Sequence, residues 1–249
     1  MFICDDFVFV HLPKTGGTFV TEILQKLYPN GIVHPYKHGT CSDIPKEYSH
    51  LPIVSVMRNP LDRYVSQYYY GWWKRNLELY CGDVCKTRYP NFDDISFADF
   101  VLLADEFFKG YFESKPNGYA NNKAEPLGWH TEQYIRFYFK NPKKVFAELT
   151  NESIESGEYL SERFKVTILP NENLNQALYE LLLSFGHSEK ALDFLPKAER
   201  ILPEGGQVRQ DRNWLSHYTQ ETLEFIHQRE RLLFNLYPQY QEKQIKESA

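Results

Sequence analysis

"FVFVHLPKTGGTFV", residues 7 to 20, begins as an apolar run, passes through Pro, Lys, Thr and two glycines, and turns apolar again. Phe19, Ile23, Leu24 and Leu27 then recur at the spacing of one helix face. The reading is strand, glycine-bearing loop, helix. A loop in that setting aims backbone N–H groups and the positive end of the helix dipole at its contents, which points to an anion. Gly16 and Gly17 allow close backbone approach, Thr15 and Thr18 offer hydroxyl donors, and Lys14 adds a mobile positive charge.

Working outward, a second strand is expected at residues 31 to 34 after "YPNG", and a third in "PIVSVM" at 52 to 57. Asn59 and Pro60 then stand as cap and first residue of a helix through "LDRYVSQYYYGWW". Residues 74 to 90 read as a loop. Ser96 and Asp99, at capping-box spacing, open a helix over 97 to 108, and aromatic periodicity predicts another over 131 to 139. The Gly-, Asn- and Pro-rich stretch 110 to 128 between them reads as a long irregular loop. "FKVTIL" at 164 to 169 is β-branched enough for a core strand, followed by a helix that Gly186 stops. A polar loop at 203 to 213 leads to an amphipathic helix near 219 to 237. This alternation predicts an α/β fold, a parallel β-sheet flanked by helices. A length of 249 residues at 42% hydrophobic predicts one domain over residues 1–249.

A net charge of −5 disfavours a nucleic-acid partner. No run approaches the roughly 20 apolar residues of a membrane span, and no charged and apolar leader opens the chain, so a cytoplasmic protein without a membrane span is expected. Four cysteines, Cys4, Cys41, Cys81 and Cys85, are too few and too scattered for a disulfide scaffold; free thiols or one local disulfide are expected, and no metal site. Oligomeric state is not legible.

Lys14 precedes the glycines, whereas the G-x-x-x-x-G-K-[ST] nucleotide loop places its Lys after them. "PKTGGT", residues 13 to 18, instead resembles the 5′-phosphosulfate loop P-K-[ST]-G-[GT]-[ST] of the PAPS-dependent sulfotransferases. "RNPLDRYVS" extends the resemblance, with Arg58 ending a strand and Ser66 in the following helix, the pair that in this family binds the 3′-phosphate of the same nucleotide. Guanidinium grips phosphate bidentately and a hydroxyl adds one oriented donor. The resemblance implies a P-loop nucleotide-kinase-like fold, PAPS (3′-phosphoadenosine 5′-phosphosulfate) as sulfuryl donor and PAP as product. It gives Lys14 the transferring and leaving oxygens, and Thr15, Gly16, Gly17 and Thr18 the rest of the cradle.

An acceptor hydroxyl loses its proton as it attacks, so a base is needed. Carbohydrate 2-O-sulfotransferases carry a catalytic histidine ahead of an R-D-P-x-x-R-x-x-S-Y-Y-Y run. "RNPLDRYVSQYYY" is similar, with Asn59 for the Asp and Gln67 inserted, and His38 holds the corresponding place. His34 is the alternative base or an orienting neighbour, and His130 beside Glu132 a remoter one. His11 lies too close to the cradle strand to be more than a packing residue or one that supports a site residue from behind. Trp72 and Trp73 offer stacking faces for an acceptor ring, with Lys37, Lys74 and Arg75 as a basic rim. Arg209 and Arg212, in "EGGQVRQDRNW", resemble the loop that covers PAPS in this family. The acceptor implied is a hydroxylated carbohydrate or small molecule. A small-molecule kinase of P-loop type and a non-catalytic nucleotide-binding scaffold are the rival readings.

Overall fold

Val8–Val10 is buried at all three residues, as a strand covered on both faces must be. In chain order the strands are β1 (Phe2–Ile3), β2 (Val8–Val10), β3 (Ile32–Val33), β4 (Ile53–Met57), β5 (Tyr111–Phe112), β6 (Lys115–Pro116) and β7 (Val166–Pro170). The computed structural model describes residues 1–80, 82–109, 111, 112, 115, 116, 118, 119, 123–202, 205 and 213–241. The chain divides into two compact units: Met1–Arg58 with Phe164–Val208, and Asn59–Arg163 with Arg209–Ala249.

The first unit holds a five-stranded sheet in the order β3-β1-β2-β4-β7. β2, β4 and β7 run parallel, with Phe9 beside Val54 and Val54 beside Thr167. β1 runs antiparallel to both β2 and β3, so the sheet is mixed where the sequence suggested an all-parallel one. β1 escapes sequence reading because two residues are too short for any periodicity; it forms because Phe2 and Ile3 are covered in place. The Gly17–Leu27 and Leu174–Ser184 helices supply Phe19, Val20, Ile23, Leu24, Leu174, Leu178 and Leu182 to one core with Phe7, Phe9, Val54 and Val56. Each such side chain, fully buried, is worth about 1.5–3 kcal/mol. Gly186 ends the second helix at φ 91°, the left-handed conformation that a side chain resists.

In the second unit Asn59 caps the Pro60–Tyr70 helix by accepting from the Leu61 N–H at 2.9 Å. Ser96 caps the Phe97–Leu103 helix, which continues into a π-helical turn at Ala104–Phe108. Three departures stand out. Residues 83–88 are helical where a loop was expected, part of 110–128 forms the β5–β6 ribbon, and the last helix divides into Gln220–Arg229 and Arg231–Leu236. Glu230, between those two pieces, is fully buried. It accepts from Tyr64 Oη at 2.6 Å, the His130 N–H at 3.0 Å, the Thr131 N–H at 2.6 Å and Thr131 Oγ1 at 2.7 Å. Gly128 permits this approach, since a Cβ there would lie 2.2 Å from Glu230 Oε1. Arg63, also fully buried, donates through Nη2 to Gln133 Oε1.

Glu132, on the Trp129–Tyr138 helix, is fully buried as well. Arg136 Nε lies 3.0 Å from its Oε1, an ion pair within the same helix. Burial raises its carboxyl from the ordinary 4.5 to about 7, against the opposing pull of Arg136 and Arg63 and with the push of Glu230. A folded-state value above the unfolded one means that folding favours the protonated form. The resulting penalty is absent below about 4.5 and grows as pH rises through 7, reaching about 3 kcal/mol. Denaturant titrations of wild type and Glu132→Gln at pH 5 and pH 8.5 should show the wild type losing about that much more stability across the interval. Parallel declines would exclude Glu132 as the titrating group.

Cys4 and Cys41 are buried free thiols and Cys85 is disulfide-bonded; Cys81 lies outside the described residues. No described helix is long and apolar enough to cross a membrane. No group of three or more described His, Cys, Asp or Glu side chains is disposed to hold a metal ion.

Candidate functional site

Three parallel strands end on one edge of the first unit's sheet, and their following residues form the site: Lys14 to Gly17 after β2, Arg58 after β4 and Asn171 after β7. The carboxyl ends of parallel strands are where open α/β sheets bind ligands.

The loop is held by its carbonyls. Arg58 Nη1 donates to the Lys14 carbonyl at 3.3 Å, Asn171 Nδ2 to the Thr15 carbonyl at 2.8 Å, and Thr15 Oγ1 to the Leu12 carbonyl at 2.8 Å. In a trans peptide the N–H points opposite the preceding C=O, so pinning the Lys14 and Thr15 carbonyls turns the Thr15 and Gly16 N–H groups the other way. Asn171 is itself fixed, its N–H donating to the Met57 carbonyl at 2.8 Å. Ser55 Oγ ties β4 to the Val10 carbonyl at 2.6 Å.

Gly16 has φ 100°, and a Cβ there would fall 2.7 Å from Asn171 Nδ2 and 2.8 Å from Leu174 Cδ2, so only glycine fits. The helix it introduces has no side-chain cap and no acidic residue in its first turn. Its first N–H groups have no acceptor within the helix and face outward with the dipole. Lys14 has φ 63°, the one non-glycine residue at positive φ among those described. A Cβ in that region costs about 1–2 kcal/mol.

His38, in the exposed segment after β3, places Nδ1 2.9 Å from the His11 carbonyl. A carbonyl only accepts, so Nδ1 carries the hydrogen and Nε2 is the lone-pair nitrogen of the neutral ring. That is the tautomer a general base needs.

A scan of family models finds no match to the chain, and searches of curated proteins and of solved structures find none either.

The structure thus gathers Lys14, Thr15, Gly16, Gly17, Arg58 and His38 within the first unit. Half-buried Thr18 belongs to the first turn of the helix. Thr15 takes a different part from the one expected: its hydroxyl hydrogen goes to the Leu12 carbonyl, so it shapes the loop. His34 is occupied locally, its Nδ1 accepting from the Tyr36 N–H at 3.2 Å and its ring tilted on Tyr36. Lys37 is exposed and close enough to oppose positive charge on His11.

Ser66 sits half-buried on the Pro60–Tyr70 helix of the second unit. The two tryptophans of that unit part company. Trp72 is 45% exposed and lies parallel to Tyr70, whereas Trp73 is 3% exposed, packed on Phe92 and Phe100 and closed to any acceptor. Lys74 donates to the Asp93 carbonyl and Arg75 stacks over Tyr70. His130 is fully buried, its Nε2 2.8 Å from Gln67 Oε1, and burial followed by the nearby Arg63 holds its pKa well below 6.5. It is a neutral core residue, not a base. Arg209 and Arg212 lie outside the described residues. Sequence reading missed Asn171, although an Asn directly after a β-rich run, at the edge where the other candidates lie, was the available signal.

Proposed function

We propose that the protein is a PAPS-dependent sulfotransferase acting on a hydroxylated carbohydrate or small molecule. The observation that carries this reading is Lys14 held at φ 63° in a loop where glycines stand two and three residues away. Strain of that kind persists where the surrounding structure requires a particular side chain, and strained residues cluster at active sites. A lysine ahead of the glycines, with amides turned outward behind it, suits a terminal anionic group better than a Walker-type nucleotide.

When bound, PAPS supplies an activated sulfuryl group. Lys14 and the N–H groups of Gly16, Gly17 and Thr18 neutralise its 5′ oxygens and the charge that spreads over them during in-line transfer. His38 Nε2 takes the acceptor hydroxyl proton as the new S–O bond forms and the bond to the 5′-phosphate breaks. By resemblance the 3′-phosphate falls to Arg58.

Calorimetric titration with PAP, with ADP and Mg-ATP as competitors, tests the reading. PAP should bind selectively, and Arg58→Ala should weaken it by about 10- to 100-fold, as loss of a charge-assisted bond does. Adenosine 5′-phosphosulfate, which lacks the 3′-phosphate, should lose far less. Equal losses would assign Arg58 to the 5′ loop alone, in keeping with its bond to Lys14. Preference for Mg-ATP, or no binding by folded protein, would overturn the reading in favour of the kinase or scaffold.

A further inference from the structure

His11, one residue past β2, is 3% exposed. Its ring touches two parts of the site. A Cβ on Gly17 would sit 2.1 Å from its Cδ2 and 2.4 Å from its Nε2, so the imidazole fills the space that a side chain at the first helical residue would need. The His38 ring meets it edge-on with centroids 4.8 Å apart, and the His11 carbonyl receives the His38 Nδ1–H.

Simple packing does not account for a histidine here. Its buried Nδ1 has no hydrogen-bond partner, and an apolar ring of the same shape would avoid that cost. A dry lone pair is cheaper than a dry N–H, so the proton belongs on Nε2, at the edge that faces Gly17. Burial, then His38 and Lys37, hold its pKa well below 6.5, so a neutral ring stands beside His38 and does not repel a proton arriving there.

We propose that His11 is a positioning residue coupling the anion loop to the base: its ring sets where Gly17 begins the helix, and its carbonyl fixes His38 in the Nδ1–H tautomer. The inference rests on the sulfotransferase reading for the identity of the anion and of the reaction.

A double-mutant cycle tests it, with PAP as the probe in calorimetry and the His38 ring ¹⁵N shifts as a second readout. Gly17→Ala alone should weaken PAP about thirtyfold, the effect of forcing one methyl into filled space, and should erode the Nδ1–H signature of His38. In the His11→Ala background the same change should cost less than about threefold, because the space is vacated. If His11→Ala does not fold, His11→Val, whose branched stem covers the strand end, carries the cycle instead. Additive losses, or a His38 tautomer indifferent to Gly17→Ala, would overturn the coupling while PAP binding by wild type left the nucleotide reading intact. Failure of wild type to bind PAP, with the tautomer still responding to Gly17→Ala, would remove the nucleotide and keep the coupling.

Discussion

Lys14→Ala is expected to lower sulfuryl transfer by about 10²–10³-fold, the usual cost of removing one donor aimed at developing charge. Release of sulfate or labelled acceptor from radiolabelled PAPS measures it, with transfer to water as the floor. Because an alanine Cβ is strained at φ 63° much as a lysine Cβ is, the Ala variant should fold like wild type. Lys14→Gly separates backbone from charge: with no Cβ to strain it should be at least as stable as the Ala form and equally inactive. Full activity in a folded Lys14→Ala protein would remove this residue from the mechanism, and with it the reason for the strained backbone.

Glu230→Ala is expected to cost about 3–5 kcal/mol of folding stability, because it strands a buried phenol, a buried hydroxyl and two backbone N–H groups at once. For a chain of this size that is a fall in Tm of about 10 °C. Burial pushes the Glu230 carboxyl upward while the Tyr64, Thr131 and His130 donors pull it back. Glu230→Gln should recover only part of the loss. Its single carbonyl can face the Tyr64 and His130 donors or the Thr131 pair, and its NH2 confronts whichever remains. Scanning calorimetry of both variants measures this, and a loss below about 1 kcal/mol for Ala would show that the four bonds are replaced by solvent.

Elements set by local chemistry were legible in the chain. The strand-loop-helix of residues 7 to 27, the Asn59-Pro60 helix start, the Ser96 cap and the Gly186 stop each depend on residues within one turn of one another, and each is found near where it was read. The glycine-lysine loop was legible for the same reason, since its glycines and lysine are contiguous. The aromatic run from Tyr68 to Trp73 was half legible: helical spacing does not say which face is covered, and Trp72 and Trp73, adjacent in sequence, ended on opposite sides of that question.

What the chain determined by itself is the order of strands and helices and the glycine-lysine corner, because propensity, capping and φ > 0 are properties of neighbours. Tertiary structure alone decided the antiparallel β1, the Asn171 and Arg58 bonds that aim the loop, the placing of His38 on the His11 carbonyl, and the break at Glu230. Apart from the β1–β2 pairing, which spans only a few residues and is too short to show a period, each of those joins residues tens of positions apart, where one hydrogen bond or one buried ring outweighs any local preference and leaves no periodic trace in the sequence.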